Sequence, residues 1–269
     1  MLVLVADFFK TRSTWAEVYG KGNSWNWFSL THFIILLVTV LFCFLMGYLY
    51  KNADENKRKV LRWVLVGLML AEEVWMFSIS FATKQFEMGF LPLHLCGINI
   101  FFCMAYTIKP KDWVADMLYG LALPGAFLAL IVPTWTGVPP WNFIFIFSTG
   151  YHIFLIAYPI MLLAGGYKPN FKNLKKVGLT LVCLCVVIFG INELNYFIGT
   201  KTDNLAFWKT NFMFLHEPES VITTVANLLG LKGRSFLIVL PIMLVLIWGL
   251  FYTPWILLER KNKRLEETK

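Results

Sequence analysis

Long apolar runs recur along the chain with only short polar breaks between them. Seven are near the ~20 residues that cross ~30 Å of hydrocarbon at about 1.5 Å per residue. They fall at 27–50, 60–82, 91–107, 113–133, 143–165, 177–199 and 236–257. Lipid offers no partner to backbone N–H and C=O groups, so each run is expected to be a helix. The pattern predicts an all-α fold, a polytopic bundle of seven transmembrane helices over 27–257. Residues 1–26 mix apolar, aromatic and charged side chains, which suits an interfacial amphipathic segment at headgroup level. Residues 258–269 read as a basic tail. The longest break, 200–235, carries "SVITTVANLLG", which predicts a short helix lying on the membrane or lidding the bundle. No internal repeat or low-complexity linker interrupts the pattern.

Composition agrees with this reading. The chain is 58% hydrophobic and 15% charged, with a mean hydropathy of +0.64, outside the range of ordinary soluble domains. A net charge of +8 would suggest nucleic acid in a soluble chain, but here the basic residues lie between apolar runs, so no nucleic-acid partner is expected. Sixteen of the 24 Lys and Arg residues fall on one side of the predicted spans. That bias places the N-terminus and loop 200–235 outside and the C-terminus in the cytoplasm. The start of the chain lacks a basic n-region, and no cleaved signal is expected. Cys43, Cys96, Cys103, Cys183 and Cys185 all sit in apolar segments, which fits neither a disulfide framework nor zinc knuckles. No cofactor is expected.

A charged side chain at mid-bilayer costs roughly 2.5–3.5 kcal/mol on the lenient insertion scale, so each intramembrane ionisable residue asks for a reason. Glu72 and Glu73 lie near the middle of the second span and read equally as functional carboxyls or as hydrogen-bonded structural ones. Asp116, near a span boundary, can snorkel or cap. On the predicted topology His32, His94, His152 and His216 all fall toward the outer face, as do Asn192, Glu193 and Asn195 at the end of the sixth span. This convergence predicts a polar pocket opening to the outer leaflet. Cys96 would sit roughly 8 Å below that surface and His152 some 14 Å below it, at 1.5 Å per residue.

Within "LPLHLCGINIF", Pro92 suits a first helical position, which places Cys96 near the positive end of a helix dipole, a setting that favours thiolate. If both residues are helical, His94 points about 200° away from Cys96, so a base from another span is expected. His152 in "STGYHIF" is the candidate base, with Glu193 or Asn192 setting its tautomer. His94, Asn99, Asn192, Asn195 and Asn211 are candidate substrate or oxyanion contacts. The other four cysteines read as packing, His32 as an interfacial residue, and the Trp and Tyr residues near span ends as an aromatic belt.

"LPLHLCGINIF", "MLYGLALPGAFLALIVPTW", "STGYHIF" and "INELNYFIG…NFMFLHEPES" resemble, in order and spacing, the YwaF-like integral membrane proteins of bacteria, over about residues 60–255. The loop departs from the usual family form at Glu217, where a basic residue is commoner. The resemblance implies a multi-pass protein of the bacterial plasma membrane. An animal branch of the family looks like an acyltransferase moving fatty acyl chains between phospholipids, and the carried-over roles fall on Cys96 and His152. The implied partner is a membrane phospholipid or lyso-lipid. Two other classes stay open: a zinc-dependent intramembrane hydrolase using the histidines with Glu72 or Glu73, and a small-solute transporter with Glu72, Glu73 and Glu193 along its path. The same thiol chemistry serves a lipid acyltransferase or an acyl hydrolase.

Overall fold

The structure, a computed structural model, describes residues 7–20, 22, 24–204, 207, 210–219 and 221–267. Among these, seven helical segments are long and apolar enough to cross a membrane: Leu30–Lys51, Glu55–Ala82, Met88–Ile108, Asp112–Ile131, Phe143–Ala164, Phe171–Thr202 and Gly233–Asn262. Each overlaps one of the seven predicted runs, so the all-helical polytopic architecture stands. Of the basic residues used to orient the chain, Lys21, Lys209 and Lys269 lie outside the described residues, as do residues 1–6 of the predicted interfacial segment and Ser220 of the loop helix.

The chain divides into two compact units, residues 1–110 with 121–167, and residues 111–120 with 168–269. The first holds helices α1 (Arg12–Tyr19), α2 (Leu30–Lys51), α3 (Glu55–Ala82) and α4 (Leu95–Ile108), then α6 (Leu123–Ile131) and α7 (Phe143–Ala164). Its packing centres on α7, which touches α2, α3, α4 and α6. Polar side chains fix where these helices begin. Ser29 accepts from the His32 N–H, Asp54 from the Lys57 N–H at 3.0 Å, and Asn142 from the Ile144 N–H at 2.8 Å.

The N-terminal segment is tied to the loops of this unit. Gln85 accepts from the Thr11 N–H at 3.0 Å and the Thr14 hydroxyl at 2.8 Å, while its amide donates to the Phe9 carbonyl at 3.0 Å. Asn142 donates to the carbonyls of Asp7 and Lys10 at 3.0 and 2.8 Å. His32 is not an exposed interfacial ring. It is 1% exposed, its Nδ1 accepts from the Phe28 N–H and its Nε2 donates to the Leu130 carbonyl, both at 2.9 Å. A ring with both nitrogens bonded to backbone is a structural tie between the start of α2 and the end of α6.

The second unit holds α5 (Asp112–Met117), α8 (Leu174–Thr202), α9 (Val221–Leu228) and α10 (Val239–Glu267). The predicted loop helix is α9, and it packs within this unit: Ile222 and Ala226 bury against Phe236 and Val239 at the start of α10. The fourth span is not one regular helix, because a π-helical turn, Leu118–Ala122, separates α5 from α6. The reason is Pro124, which has no N–H to give to the carbonyl four residues back. That carbonyl, of Gly120, instead accepts from the Trp248 indole at 2.9 Å. Asp116 is fully buried rather than snorkelling: it accepts from the Asn170 N–H at 2.9 Å, the Asn173 amide at 2.7 Å and the Tyr252 hydroxyl at 3.3 Å.

Candidate functional site

In the first unit, helix α4 begins at Leu95, not at Pro92. Residues 91–94 form a tight turn in which the Leu93 N–H reaches the Leu91 carbonyl at 2.7 Å. Gly97 makes the turn possible: a Cβ there would lie 2.6 Å from the Pro92 Cα, so only a hydrogen fits. His94 is therefore the N-cap, in extended conformation with ψ 156°, and its ring makes no capping bond. The helical-wheel separation of His94 from Cys96 does not apply, because only Cys96 is helical. Cys96 is the second residue of α4, where backbone N–H groups are not used by the helix itself and the dipole is positive. As a residue Cys96 is half-buried, whereas Cys103, two turns further along the same face, is fully buried.

Helix α7 brings its centre to this helix start. The Tyr151 hydroxyl donates to the Cys96 carbonyl at 3.3 Å. The next residue, His152, bonds through Nδ1 to the Ser148 carbonyl at 2.5 Å. A carbonyl only accepts, so Nδ1 carries the hydrogen and the neutral ring presents its lone pair at Nε2. The tautomer-setting role expected of Glu193 or Asn192 is thus filled by backbone of the same helix. The Trp135 indole stacks on the His152 ring, centroids 5.2 Å apart and planes 19° from parallel. Its own N–H donates to the Thr149 hydroxyl at 3.1 Å. The His94 and His152 rings lie within electrostatic reach of one another, and the Tyr151 hydroxyl is within reach of Cys96, Glu72 and Glu73.

The two glutamates of α3 flank the same stretch of α7. Glu72 occupies the room left by Gly150, where a Cβ would stand 2.2 Å from its Oε1. One oxygen of each carboxyl, Oε2 of Glu72 and of Glu73, is buried without a hydrogen-bond partner among the described residues, and so is Oδ1 of Asn99. Asn99, one turn beyond Cys96, commits its amide to the Leu95 carbonyl at 2.8 Å.

The remaining candidates gather in the second unit. Glu193 accepts from His216 Nδ1 at 2.9 Å and from Arg234 at 2.6 Å, so the imidazole it orients is His216. Asn192 is fully buried and holds the Phe212 backbone from both sides, at 2.9 and 3.0 Å. Asn211 accepts from the N–H groups of His216 and Glu217 at 3.0 and 3.2 Å and donates to the Glu217 carbonyl at 2.8 Å and the Glu219 carboxylate at 3.0 Å. These bonds fold the segment around Met213 and Phe214, both at positive φ. Asn195 keeps a buried amide nitrogen without a partner among the described residues.

Tyr151 and Trp135 were not among the residues singled out from sequence. A hydroxyl in mid-span needs an acceptor, which was the available signal for Tyr151. Trp135, near a predicted span end, reads as belt; it is 6% exposed and part of the site.

The sequence model of the TMEM164 family matches residues 27–252. This chain belongs to the TMEM164 family. The match runs from the start of the first span into the seventh and takes in both clusters. Neither the curated proteins nor the solved structures yield a match.

Proposed function

We propose that this TMEM164 family protein is a membrane-embedded acyl-transfer enzyme acting on phospholipid, with Cys96 as nucleophile and His152 as base. The observation that carries the reading is the Nδ1–H bond of His152 to the Ser148 carbonyl. It leaves a basic Nε2 on the helix whose Tyr151 is hydrogen-bonded to the backbone of Cys96. His152 Nε2 takes the Cys96 proton and the thiolate attacks an acyl-ester carbonyl. The ester C–O bond then breaks, the lyso-lipid oxygen takes the proton from the imidazolium, and the acyl group stays on sulfur as a thioester. A second lyso-lipid hydroxyl, or water, gives its proton to His152 and attacks the thioester, which restores the thiol. The first-turn N–H groups of α4, uncapped by the His94 side chain, are the donors for the developing oxyanion. Asn99 is less suited to that task, since its amide is held by Leu95. Glu193, Asn192, Asn195 and Asn211 serve the second unit in this reading, and His94 lines the approach to His152.

Bound zinc in the purified protein, lost together with activity on chelation, would select zinc chemistry over the thiol. The partnerless oxygens of Glu72 and Glu73 favour one second reading, a polar path for a small solute. Solute uptake that survives Cys96→Ser and fails in Glu72→Gln would select it. The outer-leaflet placement of the site and a bacterial plasma-membrane location belong to the proposal, and reporter fusions at each loop test the orientation.

The deciding experiment incubates the purified protein with phospholipid and reads intact mass. The wild type gains one acyl group, labile to hydroxylamine, Cys96→Ala gains none, and His152→Ala gains it slowly. An adduct that persists in Cys96→Ala, or a wild type that never acylates while Cys96→Ala retains full cellular activity, overturns the proposal.

A further inference from the structure

The second unit carries an apolar groove of about 460 Å³ between the start of α8 and the middle of α10. Its walls include Leu174, Val245, Trp248 and Ile256, and among the described residues Lys175 is the one charged side chain that lines it. The volume lies within the ~300–1,000 Å³ usual for ligand clefts. The polar atoms in its wall are turned away and satisfied. The Trp248 indole donates to the Gly120 carbonyl at 2.9 Å and the Tyr252 hydroxyl reaches the Asp116 carboxylate at 3.3 Å. What remains toward the groove is hydrocarbon, aromatic face and one ammonium. Gly249 faces open space, with no atom within 4 Å of where its Cβ would be.

Charge is not spread evenly around this groove. Lys175 marks one end, on the first turn of α8, which contains no acidic residue. Lys172 and Lys176 flank it in sequence, and all three are exposed. The groove-lining stretch of α10 ends at Ile256, one turn before exposed Arg260 and Lys261, with Glu259 the acidic residue beside them. The uncapped first turn of a helix adds partial positive charge of its own. Phosphatidylcholine and phosphatidylethanolamine carry a cation that offsets their phosphate, so a headgroup with net negative charge gains more from such an end.

We infer that this groove is a binding site for an anionic phospholipid, one acyl chain lying along Trp248 and Gly249 and the headgroup phosphate on Lys175. The site is independent of the acyl-transfer reading and uses none of its residues.

The test measures retention of dioleoylphosphatidylglycerol and dioleoylphosphatidylcholine by the full-length protein, using native mass spectrometry from mixed micelles. The expected result is one phosphatidylglycerol held in clear preference to phosphatidylcholine. A basic residue near an anionic headgroup contributes about fivefold, so Lys175→Glu lowers retention about tenfold or more. Gly249→Leu, whose Cβ meets no neighbour within 4 Å and whose side chain adds bulk to the groove wall, lowers retention of the same lipid while Lys175 is intact. Size exclusion and helical circular dichroism confirm that each variant is folded. Should Gly249→Leu misfold, Gly249→Ala and the surface change Lys175→Glu carry the test. Equal retention of the two lipids by the wild type overturns the inference, as does unchanged phosphatidylglycerol retention in folded Lys175→Glu or a folded Gly249 variant.

Discussion

Two imidazoles in this protein are held in opposite ways. His152 is fixed by one backbone carbonyl and stacked on Trp135, and its Nε2 has no hydrogen bond among the described residues. His216 is bonded to a carboxylate that also binds Arg234, lies 4.8 Å from the Tyr196 ring, and stands in a loop fastened by Asn211 and Asn192. The surroundings differ in the same sense. His152 stacks on Trp135, and in the same unit stand the uncapped helix start that carries Cys96 and three buried oxygens without partners among the described residues. Around His216 nearly every polar group is matched. A network with each donor and acceptor used holds a shape, whereas one left partly open has capacity for a substrate.

The sharpest break of this comparison is kinetic. His152→Ala should slow acyl-adduct formation about 10²–10⁴-fold, the usual contribution of a general base, while His216→Ala leaves the rate within about threefold. Time-resolved intact mass reads both, and equal losses would abolish the distinction. Next in size is Asn192→Leu, which removes the two hydrogen bonds that Asn192 makes to the Phe212 backbone and should cost about 1–3 kcal/mol in detergent unfolding, with little change in rate per folded molecule. Gly150→Ala drives a methyl into the Glu72 carboxylate and should cost about 1–3 kcal/mol, and Glu72→Ala in the same chain should return most of it; failure of that rescue would mean that Glu72 does not rest on Gly150. The smallest effect lies at the N-terminal segment. Lys10, then the Tyr19 hydroxyl at 2.8 Å, hold the Asp7 carboxyl below its ordinary value of 3.8. A depressed carboxyl stabilises the fold above its unfolded value, and that contribution is lost as pH falls through the folded one. Protease protection of residues 7–20 should therefore be flat at neutral pH and fall only below about 4 in the wild type, with no such acid step in Asp7→Asn.

The spans were legible because a bilayer demands length and apolarity, and both are written locally. Ser29, Asp54 and Asn142 are N-cap residue types, but hydrophobicity alone put the first two starts at 27 and 60 and only the third within a residue of where it lies. The start of α4 was not legible, since Pro92 fits a first helical position and the turn that displaces it depends on the missing side chain of Gly97. Pro124 was visible, but which donor would take the freed Gly120 carbonyl depends on Trp248, more than a hundred residues away. Cys96 and His152 stood out as costly groups in apolar surroundings. The partner of Glu193 did not, because a loop of irregular backbone delivers His216 to it, and no periodicity describes such a loop.

The stacking of Trp135 on His152 has a consequence of its own. An indole face attracts a cation, so it would steady the imidazolium that the proposed proton transfer from the thiol creates. The same contact makes that indole a resident optical probe: its emission should dim each time the neighbouring ring gains charge, turning a proton's arrival into a flicker of light.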